Sequence, residues 1–140
     1  MNHIVSVLEF QERGDERGHL VIAEGVKDIP FEIKRVFYIY GTQGDVVRGQ
    51  HANLNSQFVL INIAGTSKVK VRDGKTYEEV FVLDKPNMGL YLPNMVWKDM
   101  YDFSLDSILL VLASEHYDEH EYIRDYTEFV DIVHNQNGTD

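Results

Sequence analysis

From residue 3 to about residue 113, apolar and polar positions alternate or cluster in short runs, each broken by Gly, Asp, Asn or Pro. The runs cover 3–10, 19–23, 33–40, 46–53, 57–63, 67–72, 77–83, 89–92, 95–101 and 108–113, and they predict short strands arranged as two packed sheets. Alternation is strict in Lys68-Val69-Lys70-Val71-Arg72, as in a strand with one face in water. Asp73-Gly74 follows it with the residue pair that a two-residue hairpin turn requires, because both central positions need positive φ. Phe58-Val59-Leu60-Ile61-Asn62-Ile63 and Ile108-Leu109-Leu110-Val111-Leu112 are almost continuously apolar, which predicts central strands buried on both faces.

After Ser114 the period lengthens. Tyr122, Ile123, Tyr126, Phe129, Val130 and Val133 mark one face of a helix, predicted over about 118–136. Asp118 and Glu121 form an acidic variant of a capping box at its start, and Gly138 lies near its end. The expected fold is all-β with a C-terminal α-helix covering one end of the sandwich.

At 140 residues, 44% of them hydrophobic and 26% charged, with only three prolines, the chain is expected to form a single domain over 1–140. A formal charge of −10 argues against nucleic acid and anionic membrane surfaces as partners, so an anionic ligand must meet local Arg and Lys. The absence of cysteine removes disulfides, thiolate nucleophiles and thiolate-bound zinc. No apolar run approaches membrane-spanning length, and the first ten residues lack the pattern of a signal peptide, so the expected location is cytoplasmic.

Histidines are the first candidates for acid-base chemistry near neutral pH. His3 and His134 lie near the ends and read as solvated. His116 and His120 are four apart, but an N-cap at Asp118 leaves His116 outside the helix and breaks their alignment as metal ligands. His51 sits in Arg48-Gly49-Gln50-His51-Ala52-Asn53, where Gly49 permits close approach and Ala52 leaves space. In a strand His51 and Asn53 share a face. If that face is interior, they are either satisfied by the backbone or available to a ligand.

Gly49-Gln50-His51-Ala52-Asn53, with Gln57 and Gly65, resembles the first cupin motif with Asn53 and Gln57 in place of two metal ligands. Pro93-Asn94-Met95-Val96-Trp97 resembles a second motif whose His is missing. With one imidazole left, no metal is expected. The segments Asp15-Glu16-Arg17-Gly18-His19-Leu20, Ile33-Lys34-Arg35-Val36-Phe37-Tyr38-Ile39, Val96-Trp97-Lys98-Asp99-Met100 and Tyr122-Ile123-Arg124 extend the likeness over roughly 3–130. Together they resemble the cupin-type sugar 3,4-ketoisomerases, the WxcM-like family.

That resemblance implies a jelly-roll β-sandwich acting on a dTDP-linked 4-keto-6-deoxy-glucose. The ketone moves from C4 to C3 without a cofactor. His51 aligns with the presumed base, a role that suits a group titrating near working pH. Arg17, Tyr38 and Lys98 are the candidates to stabilise the enediolate, and Asn53 contributes a hydrogen bond but no proton. Arg17 resembles the branch giving the galacto-configured product, while Lys98 stands where His or Arg is expected. Arg35 and Arg48 are candidates for the pyrophosphate, and Gln57, Tyr91 and Trp97 for other substrate contacts. Trp97 and Tyr91 read more often as core aromatics than as stacking partners, and Arg17 equally as an exposed ion-paired cation. A homodimer is implied as well. The competing functions are a degenerate cupin that binds a nucleotide sugar without turnover and a related sugar epimerase.

Overall fold

In the computed structural model, which describes residues 5–138, two five-stranded antiparallel sheets pack face to face. His3 lies outside the described residues. The strands are β1 (Ser6–Glu9), β2 (Gln11–Asp15), β3 (Gly18–Ile22), β4 (Arg35–Tyr40), β5 (Arg48–Asn53), β6 (Phe58–Ala64), β7 (Ser67–Arg72), β8 (Glu78–Leu83), β9 (Met88–Leu92), β10 (Trp97–Tyr101), β11 (Ile108–Ala113) and β12 (Tyr122–Ile123). One helix, α1 (Tyr126–Gly138), follows. The first sheet runs β1-β9-β6-β11-β4 and the second β12-β5-β10-β7-β8, while among the described residues β2 and β3 pair only with each other. The all-β sandwich with a C-terminal helix expected from the sequence is the fold adopted.

Between the sheets Phe58, Leu60, Leu90, Leu92, Leu109 and Val111 meet Val69, Val71, Leu83 and Met100, all buried. The unbroken apolar runs of β6 and β11 have a second cause. Val59, Ile61 and Leu112 point outward into a separate cluster closed by Phe10, Ile29 and Phe31. The segment after β3 therefore covers the back of the first sheet, and both faces of its central strands are dry.

Several boundaries differ from the sequence expectation. The first run is interrupted at Phe10, which turns into the outer cluster, so that β2 forms a strand of its own. Residues 73–77 form a longer loop instead of a two-residue turn, because the Asp73 carboxylate accepts from the amides of both Lys75 and Tyr77. The helix begins at Tyr126, not near 118. Asp118 does act as a cap, its Oδ1 accepting from the His120 amide at 3.0 Å, but over the 3-10 turn Glu119–Glu121. Tyr122 and Ile123 then pair with Asn53 and Ala52 of β5, and extended backbone cannot continue a helix. Asp125 caps α1 instead, accepting from the Glu128 amide at 3.2 Å. The helix presses Phe129 and Val133 onto Trp97, Ala52 and Ile123 on the outer face of the second sheet.

One irregularity positions the site. In β5 against β10, His51 lies opposite Lys98 and Gly49 opposite Asp99, so Gln50 is an extra residue. Gly49 and Gln50 both adopt left-handed backbone, with φ of 83° and 56°. At Gly49 a Cβ would stand 3.0 Å from the Lys98 carbonyl oxygen and 3.1 Å from Met100 Cε. Gly49→Ala is expected to lose about 1–3 kcal/mol of stability from the strained backbone and crowded carbonyl, read by urea unfolding. A variant as stable as wild type would show that the bulge tolerates a side chain.

Candidate active site

The bulge turns His51 into a pocket of about 200 Å³ between the two sheets. Phe37, Phe58, Leu60, Met100 and Val111 supply its apolar walls, and His51, Lys98, Arg48 and Tyr122 its polar groups. His51 Nδ1 lies 3.0 Å from the Gly49 carbonyl oxygen. A carbonyl only accepts, so Nδ1 carries the proton and Nε2 keeps its lone pair. The Tyr122 ring lies against the imidazole at 4.8 Å. Burial, and then the nearby charge of Lys98, push the imidazolium pKa down to about 3; the Gly49 bond opposes them, Arg124 adds to the lowering, and Glu121 acts the other way. His51 is thus a neutral proton acceptor across the physiological range.

Opposite it on β10, Lys98 is 4% exposed. Its Nζ lies 3.3 Å from Asn53 Oδ1 and 4.7 Å from the centre of the Phe58 ring. Burial pushes its pKa down to about 7, against the pull of Glu121. The ammonium can therefore release a proton near neutrality, beside an imidazole that can accept one.

Arg48 is exposed at the pocket, whereas Arg35 is held behind the wall, with its guanidinium over the Phe37 ring at 5.3 Å and the Tyr117 ring at 5.6 Å. Arg35 Nη1 reaches the Tyr122 hydroxyl at 3.4 Å, and its buried Nε and Nη2 have no hydrogen-bond partner among the described residues.

Of the residues singled out in the sequence, His51, Asn53, Lys98, Arg35 and Arg48 meet at or beside this pocket. Tyr38 touches its wall, but strand parity puts the ring on the outer face of β4, stacked on Tyr40 and 61% exposed. Gln57 and Tyr91 bond to one another at 2.6 Å, with Tyr91 packed into the outer cluster, so neither lines the pocket. Trp97 is core beneath α1, edge-on to Tyr126 at 5.1 Å. Arg17 lies in the β2–β3 hairpin, paired with Asp15, and does not line the pocket of its own chain.

Two residues of the site escape sequence reasoning. Tyr122 and Glu121 read there as part of a helix face and a capping box, whereas Tyr122 lines the pocket from β12 and Glu121 is a buried carboxylate behind Asn53. No local signal marks them, because the apolar period runs unbroken from Tyr122 to Val133. As for a metal of the kind cupins hold, the donors do not fit one: a buried ammonium and an amide stand beside a single imidazole. Among the described residues no three His, Asp or Glu side chains converge.

Comparison with known proteins agrees with this geometry. Residues 3–134 match the family model described as WxcM-like, C-terminal. The TDP-4-oxo-6-deoxy-alpha-D-glucose-3,4-oxoisomerase of Aneurinibacillus thermoaerophilus is 46% identical over 123 residues, 88% of each chain. A 3,4-ketoisomerase structure from Helicobacter canadensis superposes with a TM-score of 0.91 at 42% identity, covering 95% of this chain and 99% of that one. A 3,4-ketoisomerase from Thermoanaerobacterium thermosaccharolyticum, solved as a His-to-Asn mutant with TDP-4-keto-6-deoxyglucose, gives 0.92 at 39% identity, covering 96% and 97%. The chain belongs to the WxcM-like family and is an isomerase of the 3,4-ketoisomerase type.

Proposed function

We propose that the pocket converts a dTDP-linked 4-keto-6-deoxy-glucose into the 3-keto isomer, with His51 as the base. The observation that carries this reading is an imidazole that lines a largely apolar pocket beside a buried ammonium, with its Nδ1 engaged by the Gly49 carbonyl and its Nε2 left to accept a proton. The C4 carbonyl acidifies the proton on C3. His51 Nε2 takes that proton, and the electron pair forms the C3–C4 double bond while O4 becomes anionic. Lys98, near the imidazole, stabilises the enediolate and protonates O4. The imidazolium then returns its proton to C4 as the O3 proton passes to Lys98, leaving a ketone at C3. Proton count and charge are restored at the end of the cycle.

Arg48 at the mouth and Arg35 behind Tyr122 are the cations for the diphosphate, the unpartnered Arg35 donors supporting that role. Asn53 orients Lys98. The galacto configuration at C4 is part of the proposal and rests on Arg17.

The assembly we infer is a homodimer. Among the described residues the β2–β3 hairpin pairs with no other strand, and Val36, Tyr38 and Tyr40 leave the outer face of edge strand β4 apolar and exposed. A second copy covering these surfaces would also offer Arg17 a route to a pocket. Sedimentation equilibrium is expected to give twice 16.2 kDa, and Tyr40→Glu to weaken the association. A monomeric wild type would remove this part of the reading.

The isomerase is tested by NMR of dTDP-4-keto-6-deoxy-glucose incubated with the protein in deuterated water. A new C3 ketone with deuterium at C4 is expected. Exchange at C3 or C5 with the C4 ketone retained would indicate an epimerase, and binding without exchange an inert module. His51→Asn should fold normally and lose at least about a thousandfold in kcat; normal turnover in that variant would displace His51 as the base.

The pH profile follows from the two shifted groups. His51 is neutral above about 3 and so imposes no acidic limb near neutrality, whereas Lys98 loses its proton as pH rises through about 7. Activity is expected to decline on that alkaline side, with the limb absent in Lys98→Met. A flat profile from pH 6 to 9 would remove Lys98 as the donor.

A further inference from the structure

The geometry points to Glu121 as a positioning residue of the reaction: through Asn53 it keeps Lys98 charged and aimed at the substrate oxygen. The inference rests on the ketoisomerase reading and concerns a side chain that does not line the pocket.

Lys98 is buried without a carboxylate at ion-pair distance among the described residues; Nζ has only the Asn53 oxygen and the Phe58 ring. Burying an ammonium in this way is unfavourable and shifts it toward the neutral amine unless an opposite charge acts on it. The charges around it are few. His51 faces it from β5 and is neutral. Arg124 and Arg48 are cations, the first over the Tyr122 ring at 4.7 Å and the second at the pocket mouth. Asp99, next to Lys98 on β10, is taken by Arg72 at 3.2 Å. Glu121 is the anion left to offset the charge of Lys98.

Glu121 is itself 3% exposed and fixed from several sides. Oε1 accepts from the amides of Asn55 and Ser56 at 2.8 Å each, and Oε2 from the Ser56 hydroxyl. Burial raises its pKa, but these bonds and the neighbouring Asn53 amide outweigh burial, so the carboxyl is held below its usual range and stays ionised. Asn53 is 1% exposed and lies between the two charges. Its Oδ1 accepts a hydrogen bond from Lys98 Nζ at 3.3 Å, which leaves the Nδ2 amine for the carboxylate; among the described residues that amine meets no acceptor in full hydrogen-bond geometry, yet its interaction with Glu121 favours the ionised carboxyl. Glu121, Asn53 and Lys98 thus form a polarised line from the 3-10 turn to the pocket. A carboxylate needed only to tie down residues 55 and 56 would have no reason to oppose a lysine across an amide.

The test is Glu121→Gln in the full-length protein, with turnover measured across pH and Lys98 titrated directly by NMR of ¹³Cε-lysine, assigned with Lys98→Met. The expected result is kcat at pH 7.5 lowered about tenfold or more, KM within about twofold, and the alkaline limb moved to lower pH by about one unit. The Lys98 midpoint should move down with it. Glu121→Asp, which keeps the charge but retracts it by one methylene, should fold and show a smaller displacement of the same sign; it serves alone if Glu121→Gln does not fold. If the limb and the Lys98 midpoint stay at wild-type values, and activity falls only with the folded fraction, the positioning role is refuted. The titration needs no substrate, so an inactive wild type sinks the isomerase reading, while an active wild type with an unmoved midpoint sinks this inference alone.

Discussion

A lysine ammonium held out of water beside an imidazole is the constraint around which this interior is organised. Neither group suits the place in isolation. Burial pushes both pKa values down, His51 to about 3 and Lys98 to about 7, and each owes part of its state to its surroundings. His51 is kept neutral in part because Lys98 is a cation, and Lys98 keeps a share of its charge because Glu121 opposes it. The result is an acceptor and a donor of unlike proton affinity within one pocket, the separation that carbon acid chemistry at neutral pH requires.

The fold serves that pair by keeping it dry and in register. The cluster of Phe10, Ile29 and Phe31 seals the back of the first sheet, and α1 seals the outer face of the second through Phe129 and Trp97. Against that rigid frame, the Gly49-Gln50 bulge departs from regular pairing and sets the direction of His51. The glycine answers a geometric demand, because Lys98 and Met100 crowd the place where any side chain would begin.

Much of the site was legible locally. His51 stood out because a glycine and an alanine flank it, and strand parity put Asn53 on its face. Parity also locates Tyr38 outside, since Phe37 and Ile39 point in. For Gln57, Tyr91 and Trp97 parity was not enough: the outer faces are covered where these residues lie, so a half-buried aromatic there looks like one facing the pocket. Tyr122 and Glu121 were hidden by an apparent helical period that runs unbroken through Asp125, although the chain is extended at 122–123.

What the sequence determined by itself were the elements whose cause is local: the alternating and continuous strands, the Asp118 cap, the apolar face of the helix, and a histidine two residues from a glycine that permits close approach. Only the tertiary structure decided which outer faces are dry, where the helix starts, and which distant side chains surround Lys98. Those depend on contacts between residues far apart in the chain, such as Lys98 with Asn53, Glu121 with Ser56 and Ile123 with Ala52. Charge coupling falls with distance in space and is blind to separation along the chain, and so a local pattern carries no trace of it.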